Sequence, residues 1–271
     1  MTAAEASHRV GILSRSTPRA GGQSRYGNSA MPARQLPLDL RLRDHSRFET
    51  FHAGGNALAA ATLKAMVAGA GGAAERQVFV HGAAGSGKTH LLQAACHEAF
   101  AQRRSCAYLP LEELQSLDPS AVLEGMDGLE LLVLDDLHAV AGLQEWERAL
   151  FGLINRVREQ RGQMLLAARA SPEAIGYRLP DLTSRLGWGP VFRLDQPGDL
   201  ELKAILQKRA ALRGLELSGA VADYLLRHEC RDLEVLLNLL HRLDLAALAE
   251  QRRLTIPFIR EQLRRPPPGR E

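Results

Sequence analysis

The sequence predicts an α/β fold, a parallel sheet flanked by helices, followed by a smaller all-helical domain. Three observations carry this expectation. Gln77–His81 reads as a strand, Gly82–Thr89 as a glycine-rich loop, and Leu91, Leu92, Ala95 and Ala99 as the apolar stripe of a helix that follows at once. A second aliphatic run, Leu131–Leu134, ends in Asp135 and Asp136, the pattern of a buried parallel strand that delivers carboxylates at its C-terminal end. After Pro197 the strand-like runs stop and helical periodicity takes over.

Composition sets the bounds. At 271 residues the chain exceeds one average domain, so one large or two unequal domains are expected. Its 45% apolar content supports a packed core. The net charge of +3 is unevenly placed, because residues 1–30 hold Arg9, Arg15, Arg19 and Arg25 against Glu5 alone. Setting these aside from 34 basic and 31 acidic residues leaves 30 of each sign in the rest. A neutral body gives no case for non-specific nucleic-acid binding. Cys96, Cys106 and Cys230 are odd in number and lack ligand spacing, which suits reduced thiols in a cytoplasmic protein. No apolar run approaches the roughly 18 residues of a membrane helix.

Along the chain, residues 1–30 are rich in Ser, Gly, Ala and Arg and show no apolar periodicity. They read as a disordered extension, as a transit segment, or as sequence ahead of a true start at Met31, and the last is preferred. Residues 31–47 form a linker in which Gln35, Leu36, Leu38 and Leu40 alternate along an extended segment, with Pro37 opposing a helix. Such leucines either tuck onto the domain as an edge strand or fill a partner's pocket, with Gln35 supplying a hydrogen bond.

The first domain is expected over residues 48–196. It opens with Phe48, Phe51 and a helix over 57–67, then the glycine-rich strand–loop–helix unit. Residues 105–109 read as a strand, and 111–117 and 121–125 as short helical pieces. A helix over 144–160 follows, carrying Trp146, Leu150, Leu153, Ile154 and Val157 at core spacing, and 163–168 is another buried strand. Asp181 to Gly189 is a short helix closing in a Gly-rich turn. The second domain, 197–265, holds four helices, near 198–213, 218–228, 231–250 and 255–263, and a Pro-rich tail covers 266–271.

The chemistry sits in two places. The run Gly82, Ala83, Ala84, Gly85, Ser86, Gly87, Lys88, Thr89, His90 is the candidate nucleotide-binding stretch: its glycines let backbone N–H groups turn toward phosphate oxygens, with a helix N-terminus behind them. Lys88 would reach the β and γ phosphates and Thr89 would coordinate Mg²⁺. Asp135 would share that Mg²⁺, and Asp136 could orient or deprotonate an attacking water. The expected cofactor is ADP or ATP with Mg²⁺.

These motifs, together with His138-Ala-Val-Ala-Gly142, the Ser184-Arg-Leu-Gly-Trp-Gly189 turn and the helical second domain, resemble the DnaA branch of the AAA+ ATPases, from about Phe48 to Leu263. Within that branch the chain is similar to the Hda family of DnaA regulatory inactivators. Gln35-Leu-Pro-Leu-Asp-Leu40 matches that family's sliding-clamp-binding peptide, and Leu254-Thr-Ile-Pro-Phe-Ile259 its C-terminal segment. The sequence ends soon after, without room for DnaA's DNA-binding domain.

The resemblance implies a negative regulator of replication initiation. Its partners would be DnaA and the DNA polymerase sliding clamp, with DNA met indirectly through the clamp, no membrane, and a homo-oligomer left open. Arg185 falls where the family places an arginine finger acting on a neighbouring subunit's γ-phosphate, and Arg231 where it places a lid arginine that senses nucleotide. One departure stands out. The strand over 163–168 should end in an acceptor that helps position water, but Ala168 and Arg169 occupy that end, and an arginine has no acceptor. Nucleotide binding with weak turnover is therefore expected. The rival readings are an autonomous DnaA-like ATPase or loader and, further off, a small-molecule phosphotransferase.

Overall fold

In the computed structural model, described for residues 11–13, 42, 46–69, 76–228 and 233–264, helices cover both faces of one sheet and a helical lid follows it. The chain runs through β1 (Gly11–Leu13), α1 (Ala57–Val67), β2 (Gln77–His81), α2 (Lys88–Ala101) and β3 (Cys106–Pro110). Next come α3 (Leu111–Leu114), α4 (Pro119–Leu123), β4 (Leu131–Asp135), α5 (Gln144–Glu159), β5 (Gln163–Ala168), α6 (Pro180–Leu186) and β6 (Val191–Arg193). The lid contains α7 (Asp199–Ala211), α8 (Gly219–His228), α9 (Leu233–Glu250) and α10 (Ile256–Arg264).

The spatial order is β1-β3-β4-β5-β2-β6, with β3, β4, β5, β2 and β6 parallel. This is the expected parallel sheet with an addition. No strand is legible in residues 1–30, yet Gly11–Leu13 pairs antiparallel with β3 and forms the sheet's edge, Gly11 opposite Tyr108. The order has a consequence for chemistry. Strand β5 lies between the strand that feeds the glycine-rich loop and the strand that ends in Asp135, so the end of β5 faces the space both address.

Alternation along each strand divides the core. Phe79, Leu109, Leu132, Leu134, Leu166 and Ala168 pack against α5 and its neighbours, while Val78, Val80, Tyr108, Leu131, Val133 and Leu165 pack against α1 and α2. A third core, built on Leu206, Leu225, Leu240 and Phe258, holds the lid together. Cys96 and Cys106 are buried free thiols within the α1–α2 layer. No helix among the described residues is long and apolar enough to cross a membrane.

Two short helices differ from expectation: α3 stops at Leu114, three residues short of the expected 117, and α4 is displaced. α4 begins at Pro119, earlier than predicted, because the Asp118 side chain accepts a 3.1 Å bond from the Ser120 amide and proline suits a first helical position. It stops before Gly125, whose φ of 74° no continuing helix adopts. The helices over 57–67, 144–159 and 219–228 fall where the sequence placed them, within a residue or two.

Candidate nucleotide site and the arginine on the opposite edge

The glycine-rich loop turns from the end of β2 into α2. Gly85 and Gly87 take φ of 76° and 93°, the left-handed region closed to most side chains. At Gly87 the freedom is needed twice, since a Cβ there would stand 2.7 Å from the Phe51 ring. The Ser86 hydroxyl is buried inside the loop without a hydrogen-bond partner. Lys88 curls back onto the loop, its Nζ donating to the carbonyls of Gly82 at 2.8 Å and Ala83 at 2.9 Å. Burial pulls its pKa below the ordinary lysine value, against the opposing pull of Asp135 and Asp136.

Thr89 Oγ1 donates to Asp135 Oδ2 at 2.7 Å, so the two residues expected to share Mg²⁺ already touch. The same oxygen accepts a 2.8 Å bond from the buried Tyr108 hydroxyl, whose own pKa is pushed up by burial and by the neighbouring carboxylate. Asp135 is fully buried. Its Oδ1 accepts from the Asp136 amide at 2.9 Å, which fits the left-handed turn at Asp136, φ 55°. Burial first, and then Asp135, raise the Asp136 carboxyl to about 6. The residues present thus fit a phosphate-bound divalent cation: a hydroxyl and a carboxylate converge beside a loop with an unpartnered buried hydroxyl and a lysine.

At the end of β5, Ala168 is fully buried and Arg169 turns outward to Glu112 at 3.5 Å. The strand end between the loop strand and the aspartate strand therefore carries no acceptor side chain, and the cation that follows it is directed toward the end of β3. His138, just beyond, has a pKa lowered by burial and then by Arg169.

The loop opens into a cleft closed on one side by the lid. Thr50, Phe51, His90, Gln196, Arg209 and Leu237 line it with Gly85, Ser86, Gly87 and Thr89. Gln196, in the hinge segment, donates to the Ala84 carbonyl at 2.6 Å, and Asn56 and Asp195 exchange bonds of 3.0 and 2.9 Å, so loop, hinge and α1 form one unit. His90 Nε2 lies 3.0 Å from the Arg47 carbonyl and its Nδ1 lies 3.2 Å from Arg209 Nη2, which assigns the proton to Nε2 and ties the loop helix to lid helix α7.

Arg209, Tyr108 and Gln77 were not singled out by sequence reasoning. A signal existed for Arg209, because it falls on the apolar stripe of α7 after Leu202, Ile205 and Leu206, where a charge is out of place unless it has a task. Tyr108 carries a polar tip in a buried strand, a weaker sign of the same kind. Arg231 and the Gln35, Leu36, Leu38 and Leu40 segment lie outside the described residues.

Arg185 is far from this cleft. Its carbonyl and that of Leu186 accept bonds from Gln77 Nε2 at 2.8 and 2.9 Å, and Gln77 is the first residue of β2, whereas the loop leaves its last. Four steps of strand separate the two ends, roughly 13 Å.

Glycine-rich loop, paired aspartates and lidded cleft together mark the AAA+ class of nucleotide-binding proteins. Residues 42–193 match the bacterial DnaA ATPase domain and residues 199–263 the Hda lid domain. The chain belongs to the DnaA-related AAA+ family and carries an Hda-type lid. It is 38% identical over 231 residues to an uncharacterized protein of Haemophilus influenzae, covering 85% of this chain and 98% of that one. In fold it is similar to domain III of Thermotoga maritima DnaA, with TM-score 0.70, 21% identity, and 82% and 96% of the two chains covered. AMPPCP-bound Aquifex aeolicus DnaA superposes with TM-score 0.64 at 24% identity, over 74% and 65%.

Proposed function

We propose that this protein is a negative regulator of replication initiation that acts on ATP-bound DnaA. The reading rests on one observation above the others. Arg185 is anchored at the opposite end of β2 from the chain's own glycine-rich loop, so its guanidinium is available to a nucleotide held by another molecule and not to its own.

In this reading Gly82–Lys88 hold the phosphates of a bound ADP or ATP, with Thr89 and Asp135 holding Mg²⁺, and the bound nucleotide fixes body and lid. The Mg²⁺ would neutralise phosphate charge. His90 and Arg209 keep the lid against the loop helix, and Arg231 contributes a sensing arginine. Asp136 stands beside the site, but Arg169 withholds the acceptor that would complete water positioning, so the chain's own turnover is weak. Gln35, Leu36, Leu38 and Leu40 tether the protein to the sliding clamp on DNA, raising its local concentration near DnaA. Arg185 then meets the γ-phosphate of DnaA's ATP and stabilises charge that develops during hydrolysis, an effect of roughly 10³–10⁵ in rate for such fingers in the GTPase template.

The deciding experiment is hydrolysis of DnaA-bound ATP with and without clamp-loaded DNA. Clamp-dependent stimulation by the native chain, lost in Arg185→Ala while clamp binding persists, supports the reading; equal stimulation by Arg185→Ala overturns it. Replacing Gln35, Leu36 and Leu38 with Ala should abolish clamp pull-down.

The second reading, an autonomous ATPase or loader, is favoured by the intact Thr89–Asp135 contact. Steady ATP turnover by the isolated chain, lost in Asp136→Asn, would select it.

A further inference from the structure

The turn that follows α6 places an indole against the proposed finger. The Arg185 guanidinium carbon lies 3.7 Å from the Trp188 ring centroid, and that of Arg158 lies 3.7 Å from the same centroid. Phe151 adds a second ring 5.8 Å from Arg185. Phe151 and Arg158 are two turns apart on α5, so one helix face supplies both. The turn itself is rigidly set. Trp188 N donates to the Arg185 carbonyl at 3.3 Å, and the next residue can only be glycine, because a Cβ on Gly189 would stand 1.8 Å from the Gln77 carbonyl. Trp188 nevertheless keeps 38% of its surface exposed, which leaves the ring at the molecular edge and not in the core.

Stacking engages the face of a guanidinium and leaves its N–H groups pointing outward in the ring plane. Here the inner nitrogen, Arg185 Nε, is buried with no hydrogen-bond partner, and the terminal nitrogens make no hydrogen bond or ion pair among the described residues. Terminal donors left uncommitted at the rim of an aromatic platform are poised for an anionic oxygen brought by another molecule.

We infer that Trp188 is a positioning residue for Arg185: its ring holds the guanidinium by the face, with the N–H edge free for the phosphate oxygens of a nucleotide bound by the partner. Arg158 occupies the same ring and keeps it oriented. The inference rests on the reading of Arg185 as a finger acting in trans. Without the ring, the long side chain must be ordered from a solvated ensemble at the moment of use, so the saturated rate falls while complex formation does not.

The test compares Trp188→Leu, Trp188→Phe and Arg185→Ala in full-length protein, with single-turnover hydrolysis of DnaA-bound ATP on clamp-loaded DNA as readout. Thermal melts and the chain's own ADP affinity verify that each variant folds. Trp188→Leu should lower the saturated rate about fivefold to thirtyfold, the range of one partly desolvated cation–π contact, with the half-saturating concentration moved less than twofold. Trp188→Phe should recover most of the rate, because a smaller ring still offers a face. A native rate in Trp188→Leu, or an equal loss in Trp188→Phe, overturns the inference. If Arg185→Ala itself has no effect, the finger reading fails instead. One readout is independent of DnaA. Arg185→Ala should increase acrylamide quenching of indole emission in a Trp146→Phe background, and unchanged quenching would mean that the stack does not form.

Discussion

Tyr108 donates a 2.8 Å hydrogen bond to Asp135 Oδ2, the oxygen that also accepts from Thr89 at 2.7 Å. A buried carboxylate is thus held from two elements, the loop helix α2 and the neighbouring strand β3. Replacing Tyr108 with Phe keeps the shape and removes one donor, and should cost about 1 kcal/mol in urea unfolding. It should also weaken the Mg²⁺-dependent part of nucleotide affinity, measured as ADP binding with Mg²⁺ and with EDTA. An unchanged ratio would assign Tyr108 to packing alone.

Asp136 predicts a pH dependence. Its carboxyl is raised to about 6 by burial and by Asp135, against 3.8 for the free group. The folded protein therefore binds the proton more tightly than the unfolded chain between these values, and stability falls as pH rises through that window. Asp136→Asn removes the charge. In EDTA the variant should be more stable than the native chain at pH 7–8, with the difference vanishing as pH falls below about 4. Denaturant titrations at several pH values measure this, and parallel profiles would contradict it.

Gly87 sits in the left-handed region at φ 93°, and its missing side chain makes room for the Phe51 ring. Gly87→Ala should lose about 1–2 kcal/mol from backbone conformation alone. Displacement of Phe51 and the loop should lower nucleotide affinity at least about tenfold. Isothermal titration with ADP measures both the affinity and the fraction of competent protein.

Gln77 bonds the Arg185 and Leu186 carbonyls at the end of α6. Gln77→Ala strips these helix-end acceptors of their side-chain partner, at a cost of about 2 kcal/mol. Because Gln77 lies at the far end of β2 from the loop, ADP affinity should stay near native while stimulation of DnaA's hydrolysis drops. Equal loss of both would show that the two ends of the strand are not separable.

Much of this molecule was legible in its residues, and the limits are instructive. The strand over 163–168 follows from a continuous apolar run, the helix over 57–67 from an alanine-rich one, and the helix over 144–159 from side chains that repeat at 3.6 residues, each a signal contained within its segment. Strand β6 escaped notice because three residues beside a Gly-rich turn hold too little pattern, and its pairing with β2 is a contact across more than a hundred residues. The pairing of Gly11–Leu13 with β3 was hidden for the same reason.

By itself the sequence determined the glycine-rich loop, the paired aspartates, the helical second domain and the odd end of β5, because each is a local arrangement of residue types whose chemistry does not depend on distant neighbours. Only the tertiary structure decided what those pieces face. It put β5 between the loop strand and the aspartate strand, so that Ala168 and Arg169 follow the strand between them. It brought Tyr108 to Asp135 and Arg209 to His90. It carried Arg185 to Gln77, at the opposite end of β2 from the loop. These are contacts between elements, fixed by strand order and by which helix face is buried, and no local periodicity encodes them.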